Sequence, residues 1–381
     1  MSAATEDLQG DPAALMHSII KRIATGPELS KDISREEARL GMRYVLDGAV
    51  DPVQAGVFLI ALRMKRETDE ENEGILDALL EVTQSVSAAV PEVVDLADPY
   101  DGYNRTLPVS PFLPAVLAAC GLPTVTHGVE SMGPKYGVTH RQVLAAAGVP
   151  VDLSPAQAAA RLGDTAIGWA YVDQKAFCPK LYDLAILRAL IVKRPALTTT
   201  ETLLGPIRGQ ARTHLVTGYV HKPYPRIYAL LARRAGFDSA LIVRGVEGGV
   251  IPSLRQAGKA FYYHDKGEEQ SVDFRPSDLG IEEPIVAAPI AAGAQREADE
   301  QDRTAPTPEN IALAQAAAHA GLSALSGNSG PTRDSLVCGA ALCLWHLRHH
   351  GSLQGAAAAV RRVLDSGAAL ERLHRAAGVK R

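Results

Sequence analysis

Closely spaced cysteines are missing from this chain. Its four cysteines, Cys120, Cys178, Cys338 and Cys343, are scattered. That scatter excludes the paired spacing of a zinc or dithiol redox motif and leaves buried free thiols in a reducing compartment as the expectation. Long apolar runs are missing too, since none approaches the roughly 20 residues a helix needs to span a bilayer. The stretch from Met1 to Pro12 is acidic and polar, so no secretory signal is read there, and the expected address is cytoplasmic with no membrane partner. Charge of one sign is scarce: a formal net charge of -4 over 381 residues supplies no global pull toward nucleic acid or an anionic surface. Repeats and low-complexity tracts are absent. What the chain has is apolar mass. At 46% hydrophobic residues it can bury a large core, and its length suggests two domains.

The opening segment has helical grammar, with apolar positions at helical spacing and a start signal before each run. Ser34-Arg35-Glu36-Glu37 and Thr68-Asp69-Glu70-Glu71 are capping boxes, in which a hydroxyl and a carboxylate satisfy each other's helix N-terminal amides. Asp51-Pro52 supplies a cap and a first-turn proline to the run Val53 to Met64. A small all-helical N-terminal domain over residues 1–90 follows, expected to be joined by helices within about 154–203.

From about Val93 the period changes. Leu122 to Thr126, His214 to Val220, Ala240 to Arg244 and Phe261 to His264 read as strands, separated by helices such as Val138 to Ala147 and Pro225 to Ala235. This alternation predicts an α/β domain over residues 91–381, with a mostly parallel sheet flanked by helices. The segment Asp265 to Asn310 reads as loop and edge structure, and helices return from Thr307, the longest expected from Pro331.

The chain also resembles a known family over nearly its whole length. Val50 to Glu73, VDPVQAGVFLIALRMKRETDEENE, is similar to the helical-domain signature of the anthranilate phosphoribosyltransferase-like family (glycosyltransferase family 3). Thr126-His127-Gly128 sits where that family has Lys-His-Gly, Leu203-Leu204-Gly205-Pro206 resembles its Leu-Gly-Pro turn, and Gly330-Pro331-Thr332-Arg333-Asp334 its Gly-Pro-x-Arg-Asp helix entry. Leu364 to Leu370 is similar to its closing helix pair. The resemblance implies a helical small domain on an α/β large domain, an active cleft between them, and a homodimer formed through the helical domain.

The chemistry implied by the resemblance is only partly present. Transfer from phosphoribosyl pyrophosphate requires the departing pyrophosphate to be cradled by amides and magnesium, because charge builds on it as the bond breaks. Where the family has Gly-Thr-Gly-Gly-Asp, this chain has Asp98-Pro99-Tyr100-Asp101-Gly102, in which a proline removes an amide and a tyrosine fills space that glycine leaves open. The family's metal-binding Asp-Glu pair falls at Val250-Ile251, and aliphatic side chains cannot ligate a hard cation. No metal ligand is therefore assigned, and magnesium would have to be held differently. The acceptor-side asparagine of the family is Val129, and its acceptor-carboxylate arginine falls at Val192, beside Lys193 and Arg194.

The residues carried forward as ligand or phosphate contacts are Asp101, Gly102, Ser110, His127, Gly128, Lys135, Gly137, Lys193, Arg194, Arg244 and Glu247. No catalytic residue is assigned. Several have a plainer reading: Asp101 in an Asx turn, Ser110 as a helix cap and His127 on loop carbonyls. The same holds for Gly248-Gly249 as a tight turn, and for Trp169 and Tyr171 as core. From Tyr171 to His264 there are 14 Lys and Arg against 5 Asp and Glu, and from Asp265 to Asn310 there are 4 against 12. Two functions stand open. One is a pentosyltransferase-family protein that binds a phosphorylated ribose or nucleotide in the cleft and takes an acceptor other than anthranilate. The other is a non-catalytic relative that binds nucleotides or nucleic acid through a basic cleft.

Overall fold

Both capping boxes form. The computed structural model describes residues 11–26, 28–290 and 307–379. In it the Ser34 and Thr68 hydroxyls each accept from the amide three residues on, at 3.2 Å, and Glu37 and Glu71 accept from the cap amides at 2.9 and 2.8 Å. These caps open two of the four described N-terminal helices: α1 (Pro12–Ile23), α2 (Arg35–Leu46), α3 (Pro52–Lys65) and α4 (Asp69–Val82). The N-terminal stretch 1–10 lies outside the described residues.

Nine strands follow among the described residues. β1 (Val86–Ser87) and β5 (Ile207–Arg208) pair in parallel as a small sheet. β2 (Glu92–Ala97), β3 (Thr124–Gly128), β4 (Trp169–Asp173), β6 (Arg212–Tyr219), β7 (Ser239–Arg244), β8 (Gly258–Tyr263) and β9 (Gln270–Phe274) form the main sheet in the order β4-β3-β2-β6-β7-β8-β9. Its first five strands are parallel, and β8 and β9 are antiparallel. The period of two places alternate side chains on opposite faces. Val93, Ala97, Val125, Ala170, Leu215 and Ile242 join the core shared with the N-terminal helices. Val94, Leu96, Trp169, Tyr171, Val216 and Leu241 join the core beneath the C-terminal helices. A sheet buried on both faces explains why its central strands read as near-continuous apolar runs.

The remaining helices are α5 (Leu113–Ala119), α6 (His140–Ala146), α7 (Pro155–Gly163), α8 (Gln174–Phe177), α9 (Pro179–Tyr182), α10 (Ala185–Ile191), α11 (Leu197–Thr200), α12 (Tyr224–Arg234), α13 (Pro308–Leu325), α14 (Pro331–His346), α15 (Leu353–Asp365) and α16 (Ala368–Ala376). α10 packs on α3 and α11 on α4, whereas α7 lies against strands. Two readings from sequence are corrected. β4 was not among the readable strands, and its burial on both faces hides the alternation that marks a half-exposed strand. The acidic segment, read as loop and edge structure, supplies the edge strand β9, and its residues 291–306 lie outside the described ones. The longest described helix is α13, with 18 residues, not α14, with 16. Among the described residues no helix is long and apolar enough to cross a membrane.

Candidate functional site

Ligand sites in open α/β sheets lie beyond the carboxyl ends of the strands. Here three loops meet at that end: residues 98–106 after β2, 129–138 after β3 and 245–252 after β7. Glycines let them touch. Gly102, at φ +75°, approaches Gly137 so closely that a Cβ on it would stand 2.6 Å from the Gly137 carbonyl carbon.

Asp98 is the hub of the first loop. Only 1% exposed, its carboxylate accepts from the Tyr103 and Ser110 hydroxyls at 2.6 Å each, from His140 Nε2 at 2.8 Å and from the Val250 amide at 2.9 Å. Burial opposes its charge, but the His140 imidazole and these hydrogen bonds overcome that and hold the carboxyl below its usual range. Ser110, carried forward as a phosphate contact, thus sits at the start of a 3-10 turn with its hydroxyl committed inward.

Tyr100 fills the next position. It is 3% exposed and packs with Val129 and Met132. Its hydroxyl bonds His127 Nδ1, and His127 Nε2 lies 2.8 Å from Asp95 Oδ1. Because a carboxylate only accepts, Nε2 carries the imidazole proton and Tyr100 donates to Nδ1. Phe177 closes the other side of the ring at 5.8 Å between centroids. Both ring nitrogens of His127 are therefore engaged inside the protein. Gly128 ends β3 opposite Asp173, with Tyr171 beside it. Trp169 and Tyr171 are fully buried.

Two surviving acidic residues meet two basic ones. Asp101 takes the Arg194 guanidinium at 2.5 and 2.9 Å, tying this loop to the segment between α10 and α11. Glu247 accepts from the amides of Asn104, Arg105 and Thr106 at 3.1, 2.9 and 2.9 Å, from the Thr106 hydroxyl at 3.0 Å and from Lys135 at 2.8 Å. Burial works against its charge, yet Lys135 and the amides keep the Glu247 carboxyl below the usual range. Lys193 and Arg244 are exposed, with no charge partner among the described residues. Val192 is held at φ +61°, a conformation that is rare for a β-branched residue.

The donor set does not fit a magnesium pair. Val250 and Ile251 are buried at 2% and 9% exposure in the apolar core, and Asp98 and Glu247 have their oxygens committed as above. Among the described residues no group of three or more His, Cys, Asp or Glu is placed to hold a metal ion. Sequence reasoning missed Asp95, Asp98, His140 and the buried Arg188–Glu201 pair, bidentate at 2.7 Å. Only Asp98, in its Asp-Pro dipeptide after a strand, carried a local signal.

The basic segment is largely spent on contacts within the chain. Arg226 pairs with Asp69, Arg234 with Asp77 and Arg212 with Asp265. Arg208 donates to the Gly205 and Ala235 carbonyls and Arg255 to the Pro284 carbonyl. Most of that neutralisation comes from the helical domain and from carbonyls, not from the acidic segment.

A helical bundle set on a two-sided, mainly parallel sheet, with loops converging at its carboxyl end, is the architecture of a phosphoribosyltransferase-like protein. Two family models match: the helical bundle domain of the Glycosyl transferase family over residues 17–83 and the α/β domain over residues 101–370. The chain belongs to that family, the anthranilate phosphoribosyltransferase-like glycosyltransferase family 3. It is 28% identical over 271 residues to a protein of Aquifex aeolicus named only as uncharacterized, covering 71% of this chain and 80% of that one. It is 27% identical over 358 residues to the anthranilate phosphoribosyltransferase of Rhodopseudomonas palustris (strain BisA53), covering 93% and 95%. Among solved structures, anthranilate phosphoribosyltransferase from Thermus thermophilus matches with a TM-score of 0.70 at 21% identity, covering 96% of this chain and 98% of that one. The Saccharomyces cerevisiae enzyme in complex with phosphoribosyl pyrophosphate and Mg matches at 0.72 and 15% identity, covering 98% and 100%. At those identities the solved structures speak to the fold alone.

Proposed function

We propose that this family member binds a phosphorylated ribose or nucleotide at the carboxyl end of the sheet and does not take anthranilate as acceptor. The observation that carries the reading is the Tyr100, Val129 and Met132 cluster, which puts hydrocarbon and a committed phenol where the family places a glycine and an acceptor-binding asparagine. The ligand contacts proposed are Lys135 and the loop amides, with Lys193 and Arg244 as exposed cations at the rim. Any pentosyl transfer here has no carboxylate pair at Val250-Ile251 to hold the metal that would offset charge on departing pyrophosphate. The basic-cleft reading for nucleic acid has less support, because Arg194, Arg212 and Arg226 are already paired.

Calorimetry tests the reading. Ribose 5-phosphate should release heat with little dependence on magnesium, and anthranilate should release none. The double change Lys193→Ala with Arg244→Ala should weaken ribose 5-phosphate about fivefold, as expected if each exposed charge contributes about 0.5 kcal/mol. Saturable anthranilate binding, or no ribose 5-phosphate binding at millimolar concentration, would refute it. A homodimer through the helical domain is part of the same proposal. Its support is the exposed apolar trio Val53, Ile186 and Leu190, 73%, 66% and 67% exposed on the packed pair α3 and α10. Sedimentation of a Val53→Glu, Leu190→Glu variant should then give a lighter species than the parent, and equal masses would count against it.

A further inference from the structure

The Glu247 carboxylate stands where an external anion would be expected. Five donors converge on it: three successive amides from one loop, a hydroxyl from the same loop and an ammonium from another. Oε1 takes the Arg105 and Thr106 amides and the Thr106 hydroxyl, and Oε2 takes the Asn104 amide and Lys135. Successive amides turned inward form an anion-binding nest, and adding a hydroxyl and a lysine gives the donor number and charge that suit a phosphate group. Lys135 is also fastened to the Gly102 carbonyl, so its ammonium is positioned by the loop as well as by Glu247.

The residue that fills the nest is not at ease there. Glu247 has φ +54°, in the left-handed region that non-glycine residues seldom occupy. It is flanked by Gly245, Gly248 and Gly249, and this glycine-rich turn makes movement of the backbone easier than in a strand. Strain of this kind persists where surrounding contacts over-determine it and is characteristic of clamps and switch regions. Around the nest Arg105 is exposed, and Asn104, Thr106 and Lys135 are half-buried.

We propose that the Asn104 to Thr106 amides, the Thr106 hydroxyl and Lys135 form a phosphate-binding site that Glu247 holds shut as an internal anion, so that ligand entry is an exchange of one anion for another. This rests on the reading that a phosphorylated ligand binds at this end of the sheet, and it adds how admission is controlled. A site competent in only a small fraction of molecules binds with an affinity reduced by that fraction. The glutamate therefore sets a threshold that a lone phosphate meets poorly. A phosphorylated ligand with further contacts meets it better.

The test compares the parent with Glu247→Gly, which removes the anion and suits the positive φ, and with Glu247→Gln, which keeps the shape and removes the charge. Folding of each is checked by circular dichroism and thermal melting, and inorganic phosphate and ribose 5-phosphate are titrated separately by calorimetry. Glu247→Gly is expected to bind inorganic phosphate at least about tenfold more tightly than the parent, as when a site open in a tenth of molecules becomes fully open. Glu247→Gln should fall between, and adding Lys135→Met to Glu247→Gly should abolish the gain. A folded Glu247→Gly whose phosphate affinity equals that of the parent overturns the proposal, as does a gain that survives Lys135→Met. If both Glu247 variants fail to fold, the carboxylate is a structural tie and the proposal is also overturned. Ribose 5-phosphate separates the two claims. Equal ribose 5-phosphate binding by parent and variant sinks the exchange and leaves the functional reading standing. A gain for phosphate with no ribose 5-phosphate binding by either protein does the reverse.

Discussion

Two glutamate–lysine pairs in this protein look alike in chemistry and differ in backbone. Glu71, in the helical domain, accepts from the Ile33 and Thr68 amides at 3.0 and 2.8 Å and from Lys65 at 2.7 Å. Glu247, at the sheet end, accepts from three amides, a hydroxyl and Lys135. Glu71 belongs to a regular capping box on a helix. Glu247 sits on a left-handed residue inside a glycine-rich turn. The first arrangement agrees with its local sequence at every level, and the second conflicts with its own backbone preference, at a cost of order 1–3 kcal/mol. Such conflict is tolerated where function demands it, and a lysine with amide donors therefore means a structural tie in one place and a candidate binding site in the other.

The comparison can be broken at either pair. The largest effect is expected for Glu71→Ala, which leaves Lys65, whose side chain is 5% exposed, with only Asp32 as partner. It should lower unfolding stability by about 3 kcal/mol, the lower end for breaking a buried pair, with no change in phosphate affinity. Urea titration and calorimetry check both halves, and a gain in phosphate binding would erase the distinction between the pairs. The smaller effect concerns acid. The Glu247 carboxyl is depressed by Lys135 and the loop amides despite burial. Its contribution to stability is therefore complete above the unfolded carboxyl value of about 4.3 and is lost as pH falls through the folded value. Glu247→Gln should consequently show a shallower loss of urea midpoint between about pH 5 and 3 than the parent. Parallel profiles would mean that the carboxylate gains nothing from its five donors.

Much of the fold was legible because its signals are local. The two capping boxes, the Asp51-Pro52 start, which forms with the Val53 amide 2.8 Å from Asp51, and the strand and helix alternation after Val93 all concern residues within a few positions of one another. The strand bounds differ from those read in the sequence by at most three residues, and β4 was lost because a strand covered on both faces carries no period. Candidate residues could be named from the sequence, and their partners could not. Asp101, His127, Ser110, Lys135, Arg194 and Glu247 could be picked out as candidates through the family resemblance. That each is engaged by another residue of the chain could not, since the partners lie at separations such as 93 residues for Asp101 and Arg194 and 143 for Asn104 and Glu247.

The order of apolar periods, caps and prolines was enough to set a helical domain before an α/β one, because such preferences act between neighbours along the chain. That Val250 and Ile251 cannot ligate a hard cation was likewise plain from residue identity, since oxygen donors cannot come from hydrocarbon. Which surviving polar groups face a ligand and which face each other was decided only when three loops met at the end of the sheet. Hydrogen bonds and ion pairs depend on distances of a few ångströms, and only the packed chain brings remote residues that close.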